Sequence, residues 1–277
     1  MLRPILSTRA LSAHPKTDMK RCRRVCLSLM VPSLLLGLWE FAVRTRVLPP
    51  SQAAAPSDIL RTMVALTISG ELPHHAAYSL GRLISGVFIG TVTGVFAAVV
   101  ILRSEVADVL LAPMIQLLAG VPVIVWMPFW IMIFGTGETF KVAMAAITAF
   151  FLVQGYSLHA MRSIQTHYLE VAAIYEKGHW EVFLQVLLPA ALPSILTAVR
   201  VTLALGWVVI FFVEYASATE GRQGLGWLIS DARGVGKTEE EFAGLMFLGL
   251  LAFISDSLFA AVQRHQTRWA DTIETRG

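Results

Sequence analysis

Charge is scarce in this sequence. Asp, Glu, Lys and Arg make up 15% of its 277 residues, while 56% are hydrophobic; soluble domains carry roughly 25% charged residues. So little polar surface cannot wrap an apolar core of this size, which excludes a water-soluble globular domain. Cysteine is nearly absent: Cys22 and Cys26 stand in a basic stretch with no histidine at metal-ligand spacing, so neither a disulfide framework nor a zinc site is supported. The histidines are scattered, and adjacent His74 and His75 point in different directions on a helix or strand. A nucleotide-binding loop is missing as well. Gly236-Lys237-Thr238 ends like one, but the required glycine five residues before Gly236 is Asp231. Internal repeats and low-complexity tracts are absent, and no convergent His, Asp, Glu or Cys set marks a membrane enzyme.

What is present is a series of long apolar blocks. A hydrocarbon layer about 30 Å thick takes roughly 20 apolar residues in a helix, and six such blocks occur, at residues 25–43, 80–102, 109–134, 142–159, 192–213 and 242–262. The first follows Lys20, Arg21, Arg23 and Arg24 but has no small-residue cleavage site before Arg44, so it is expected to stay as an anchor. The third is broken by Pro113, Pro122 and Pro128. The expected architecture is all-α and polytopic, with residues 1–24 and 263–277 as end segments around a six-helix domain over 25–262. The net charge of +3 and the pI near 9.0 come from basic residues at the N-terminus and span ends, read as orientation signals rather than a nucleic-acid surface. Their bias predicts both termini in the cytoplasm. Residues 163–188 then lie inside, and 44–79 and 216–241 outside.

Residues 163–188 mix charges with apolar residues at helical spacing and are too polar to span. From Glu170 they read EVAAIYEKGHWEVFLQVLLPAALPSIL. This pattern predicts helix, turn, helix and span entry, with Ala172 and Ala173 allowing close backbone approach, Gly178 a left-handed turn and proline a helix start. Such a segment suits docking.

The segment resembles the EAA loop of ATP-binding cassette (ABC) importer permeases, in which a short coupling helix seats in a groove of the ATPase subunit. Glu170, Ala172, Leu188 and Pro189 match that pattern; Val171 replaces an alanine, and Glu176 stands where glycine is usual, two residues before Gly178. Three further stretches resemble the permeases for alkanesulfonates, taurine, nitrate and thiamine precursors: Trp39 with Leu48-Pro49 and Pro56-Ser57; Pro122 through Pro128 with Phe134-Gly135-x-Gly137-Glu138 and Lys141; and Phe212-Val213-Glu214 with Gly224-Leu225-Gly226. The resemblance implies a type I importer-like permease in the bacterial inner membrane that catalyses no bond-breaking and binds no cofactor. Its implied partners are cytoplasmic ATPase subunits, a periplasmic solute-binding protein and a second permease copy, in a homodimer. An ion-gradient-driven secondary transporter is the alternative; it leaves the docking segment unexplained.

Candidate residues follow. Glu170, Val171, Ala172, Ala173, Glu176, Gly178, Leu188 and Pro189 are assigned to coupling. Pro122, Trp126, Pro128, Phe129, Trp130 and Glu214 are candidates for a translocation path, because helix breaks at membrane depth are tolerated beside protein or a water-filled cavity. Gly86, Gly90 and Gly94 share one helical face and permit close packing, expected within the subunit ahead of contact between subunits. Arg200, Glu214 and Asp256 lie in or at the ends of spans and each needs a partner or water.

Overall fold

The computed structural model describes residues 16–49, 52–164, 170, 172, 174–175, 177–217 and 223–267. Among them every regular element is helical, and the chain divides into two compact units, residues 1–58 and 59–277.

In the first unit α1 (Lys16–Arg44) carries the basic cluster in its leading half and the apolar run behind it. Glu40 gathers the chain that follows. Its carboxylate accepts from Ser57 Oγ at 2.7 Å and Ser57 N at 3.1 Å, while Arg44 bridges Glu40 at 2.9 Å and Asp58 at 3.0 Å. These contacts set the start of α2 (Pro56–Ile68), where Pro56 loses no intrahelical hydrogen bond and Asp58 complements the helix dipole.

The second unit is built on α3 (Glu71–Arg103), α6 (Glu138–Arg162) and α7 (Leu188–Ala216), with α9 (Thr238–Gln266) along its side. α3 and α6 meet backbone to backbone. A Cβ on Gly86 would strike Ala145, one on Gly90 would strike Ala149 and the Ala146 carbonyl, and one on Gly94 would press on the Phe150 carbonyl. Further along, Leu83 of α3 fills the space beside Gly206 of α7. Leu72, Leu83, Ala145, Trp207, Ile210 and Leu225 form the buried apolar centre, and the Trp207 indole donates to Ser255 of α9 at 2.8 Å.

α4 (Glu105–Ala119) and α5 (Met127–Phe134) meet at a 98° bend. Pro113 lies inside α4 without ending it, and Pro128 stands in the first turn of α5, where proline fits. The break therefore falls at Gly120–Pro122, followed by a 3₁₀ turn over Val123–Trp126. Among the described residues, four helices are long and apolar enough to cross a membrane, five if the bent pair counts as one span. α1, where the first expected span falls, is outside that count of five. The spanning helices also run past the apolar blocks: α3 begins at Glu71 rather than near residue 80, since neither Pro73 in its first turn nor Arg82 interrupts it.

A connection carrying five glycines follows α7. It contains α8 (Leu225–Gly234), which buries Leu225, Leu228, Ile229 and Ala232 against α7, α9 and α3.

The glycine contacts predict a position-dependent response. Gly90→Ala is expected to cost about 1–3 kcal/mol, the usual range for overpacking, because backbone atoms of α6 cannot move aside. Gly81→Ala, where a Cβ meets nothing within 4 Å, should leave stability unchanged or slightly raised. Thermal unfolding of the detergent-solubilised protein compares the two; equal losses would refute the close approach.

Candidate functional site

Four stretches far apart in sequence converge where α3 and α6 begin and α7 ends. Arg82 is at their centre, its side chain 3% exposed. Its Nε and Nη2 donate to the Glu138 carboxylate at 2.6 and 2.7 Å, and its Nη1 donates to Glu214 at 2.5 Å and to the Gln223 carbonyl at 2.9 Å. The forked guanidinium thus serves two carboxylates from different helices. Lys141, also buried, donates to Glu138 at 3.2 Å, so two cations face two anions.

Glu214 is saturated with donors. Ser79 Oγ reaches its oxygens at 2.8 and 3.0 Å and Gly226 N at 3.0 Å, while Ser79 Oγ itself accepts from Leu225 N at 2.9 Å. Beside it Gly224, at φ 115°, donates its N–H to His75 Nδ1 at 3.1 Å, which requires that nitrogen to be unprotonated. His75 stacks on Trp227 with ring centroids 5.3 Å apart. A side chain on Gly224 or Gly226 would run into Glu214. Hence the two glycines admit the chain to the carboxylate, and the carboxylate fixes the start of α8.

Glu214, a candidate for the translocation path, has a fully buried side chain here as the counter-ion of Arg82. Arg82 itself was overlooked, because in the sequence it only marks the edge of a charge-free run. The segments carrying Glu138, Lys141, Glu214 and Gly224-Leu225-Gly226 are visible in the sequence, but nothing in one sequence pairs them.

The aromatic candidates cluster around the bend. Trp126, Phe129 and Trp130 make successive edge contacts at 6.3 and 5.6 Å, and Trp130 stacks on Phe134 at 5.5 Å. Trp130, Phe134 and Glu138 line one end of a 720 Å³ groove floored by α6. The Trp126 and Trp130 indole N–H groups are buried without an acceptor among the described residues.

At the opposite end of the bundle, the candidate coupling residues Glu170 and Ala172, with Ile174 and Tyr175 after them, precede the helical turn His179–Val182; Val171, Ala173 and Glu176 lie outside the described residues. Ala172 is buried, whereas Ile174, Tyr175 and Trp180 are 77%, 72% and 66% exposed. Gly178 is not the left-handed residue expected. It is absent from the positive-φ residues, and its carbonyl accepts from Val182 N at 3.0 Å, so it opens the following helical turn. Arg103, at the end of α3, lies 4.7 Å over the Trp180 ring. A wide π-turn, Phe183–Leu187, then leads through Leu188-Pro189 into α7.

Arg200 and Asp256 satisfy each other. Nε and Nη2 of Arg200 meet the two Asp256 oxygens at 2.7 and 2.8 Å, joining α7 to α9. Arg264 Nε donates to the Ala260 carbonyl.

An all-helical domain with several apolar spans, a broken helix pair and a protruding polar segment defines a polytopic membrane permease. The chain belongs to the family of binding-protein-dependent transport system inner membrane components, whose pattern matches residues 90–270. It is an ABC importer permease of the sulfonate, taurine and nitrate group and a multi-pass inner-membrane protein. It is 27% identical over 98% of its length to the whole of the putative aliphatic sulfonates transport permease protein SsuC of Bacillus subtilis (strain 168). It is 28% identical over 91% of its length, and 92% of the relative's, to the taurine transport system permease protein TauC of Escherichia coli (strain K12). Identity is 30% to SsuC of Escherichia coli (strain K12), covering 86% of this chain and 90% of that one. The same fold occurs in the inward-facing MetNI methionine ABC transporter (TM-score 0.57, 19% identity, 70% of this chain and 94% of that one). It recurs in a bacterial alginate ABC transporter (TM-score 0.54, 14% identity, 92% and 97%).

Burial separates the two carboxylates on Arg82. Glu214→Ala leaves Arg82 without its buried counter-ion and is expected to cost about 3–5 kcal/mol. Glu138→Gln, at a side chain 58% exposed, should cost about 1 kcal/mol or less. Denaturant unfolding in detergent micelles measures both, and a larger loss for Glu138→Gln would overturn the ranking.

Proposed function

We propose that this chain forms half of an alternating-access pathway through the inner membrane. ATP is hydrolysed on separate cytoplasmic subunits, and a periplasmic binding protein delivers the solute. Two copies pair as a homodimer, each with six spans, α1 included, and both termini face the cytoplasm. The observation that carries this proposal is the protruding tip at Ile174, Tyr175 and Trp180. Ile174, Tyr175 and Trp180 present large apolar surface to the outside of the bundle, and exposed apolar groups beside charged ones mark a protein interface. Arg103 and the buried Ala172 hold the tip against the bundle, so force applied to it passes into α3 and, through Phe183–Leu187, into α7. A carrier driven by an ion gradient has no partner for such a tip. The relatives are named for aliphatic sulfonates, taurine and nitrate, all bearing an oxyanion, and a small oxyanion-bearing solute is the cargo inferred here.

Two outcomes are expected. Reporter fusions at Gly70, Ser163 and Gly236 should read periplasm, cytoplasm and periplasm; a periplasmic signal at Ser163 removes the basis for ATPase docking. Tyr175→Asp should leave the permease folded and in the membrane but reduce co-purification of the ATPase and ATP-driven uptake in vesicles, by about tenfold or more if Tyr175 is an interface anchor. Uptake and co-purification at the parent level would remove the tip from the coupling role.

A further inference from the structure

The Arg200–Asp256 pair sits where a closed structural ion pair is costly. Arg200 is eight residues inside the apolar block 192–213, about 12 Å, and Asp256 is six residues inside the block 242–262, about 9 Å. Both fall within a hydrocarbon layer about 30 Å thick, toward the end that carries the tip. A charged pair there is expected to face protein or water. In this subunit it is covered only in part, the Arg200 and Asp256 side chains being 42% and 36% exposed.

The exposed side opens on a 450 Å³ pocket lined by Arg200, Asp256, Ser257, Gln263, Arg264 and Thr267. Its wall is polar in an otherwise apolar helix pair. Two guanidiniums face one carboxylate, so the pocket carries one uncompensated positive charge. Asp256 engages one edge of Arg200 and fixes the plane of the fork, leaving Nη1 without a partner among the described residues. Arg264 is held only through Nε, by the Ala260 carbonyl at 3.2 Å, so both its terminal nitrogens have no partner among the described residues. Gln263 is tied to Thr197 at 3.0 Å, which steadies the wall between the two arginines. Oriented N–H donors and a net positive charge in a partly desolvated pocket fit an oxyanion, because charge-assisted bonds from guanidinium to such a group are short and strong.

We propose that this pocket is an oxyanion subsite within the membrane domain, with Arg200 and Arg264 as its donors and Asp256 as the residue that positions Arg200. The proposal rests on the importer assignment above for the source of the anion. A sulfonate-type solute on its way through and the phosphate of a membrane lipid present the same chemistry. The depth of Arg200 favours the solute, since a lipid headgroup at the surface reaches Arg264 first.

The test uses the full chain purified with its ATPase partner in detergent. Thermal unfolding is followed against methanesulfonate, against the neutral analogue methanesulfonamide, and against added phosphatidylglycerol or phosphatidylcholine. A saturable rise in Tm with methanesulfonate but not methanesulfonamide identifies a solute-type anion. A rise confined to phosphatidylglycerol identifies lipid phosphate. Either supports the subsite, provided Arg264→Gln and the double variant Arg200→Gln/Asp256→Asn raise the concentration needed by about tenfold or more, the scale of one lost charged hydrogen bond. The double variant removes both charges together and leaves no lone ion in the span, and Arg264→Gln changes an exposed side chain. No saturable response to either anion, or an undiminished response in both variants, overturns the proposal. ATP-driven uptake of radiolabelled taurine by the parent complex is measured separately. Uptake without an anion response sinks the subsite alone, and an anion response without ATP-driven uptake sinks the proposed import of such a solute alone.

Discussion

A guanidinium withdrawn from water has to be surrounded by acceptors, and Arg82 draws the membrane domain together because its acceptors come from three directions. Glu138 stands at the start of α6, Glu214 near the end of α7, and the Gln223 carbonyl just before α8. Losing water costs an isolated ion several kcal/mol. The cost is offset only while every helix end stays in place, so the charge makes the positions of four elements mutually dependent. Lys141 and the donors on Glu214 complete the balance.

The two ends of α7 are consequently held in different ways. At one end Glu214 is fully buried with fixed donors. At the other, α7 is joined to α9 through a half-exposed ion pair and to the protruding tip through a π-turn and Pro189. Between them, α3 and α6 lie too close at Gly86, Gly90 and Gly94 to slide without their backbones separating. Relative movement is therefore easier at the tip end than around Arg82, which suits a domain in which a partner on one side of the membrane drives a change.

Helix content, the broken third span and the polar, non-spanning segment before α7 were legible in the sequence because each rests on local features: run length, proline position, and charges mixed with apolar residues. The convergence on Arg82 was not. Arg82 and Glu214 are 132 positions apart and Arg82 and Glu138 are 56, and hydrophobic periodicity carries no information about which charges pair across such distances. The Arg200–Asp256 pair was hidden for the same reason. The helix α8 lies in a connection read from the sequence only as polar, and at Gly224 and Gly226 Glu214 occupies the space where side chains would be. Gly178 shows an error of another kind: glycine permits a left-handed turn but does not require one, and here the chain simply starts a helical turn.

The π-turn over Phe183–Leu187 also bears on how the docking segment changes over evolutionary time. Leu188 N–H bonds back five residues to Phe183 rather than four, so the chain carries one residue more than an unbroken α-helix would need. Each residue turns an α-helix through about 100°, so losing that residue would swing Trp180 and everything before it around the axis of α7 while the span itself stayed as it is. The turn works as a phase adjuster. It allows the orientation of the tip toward a partner to be reset by a single-residue insertion or deletion, independently of the packing that anchors α7 in the membrane.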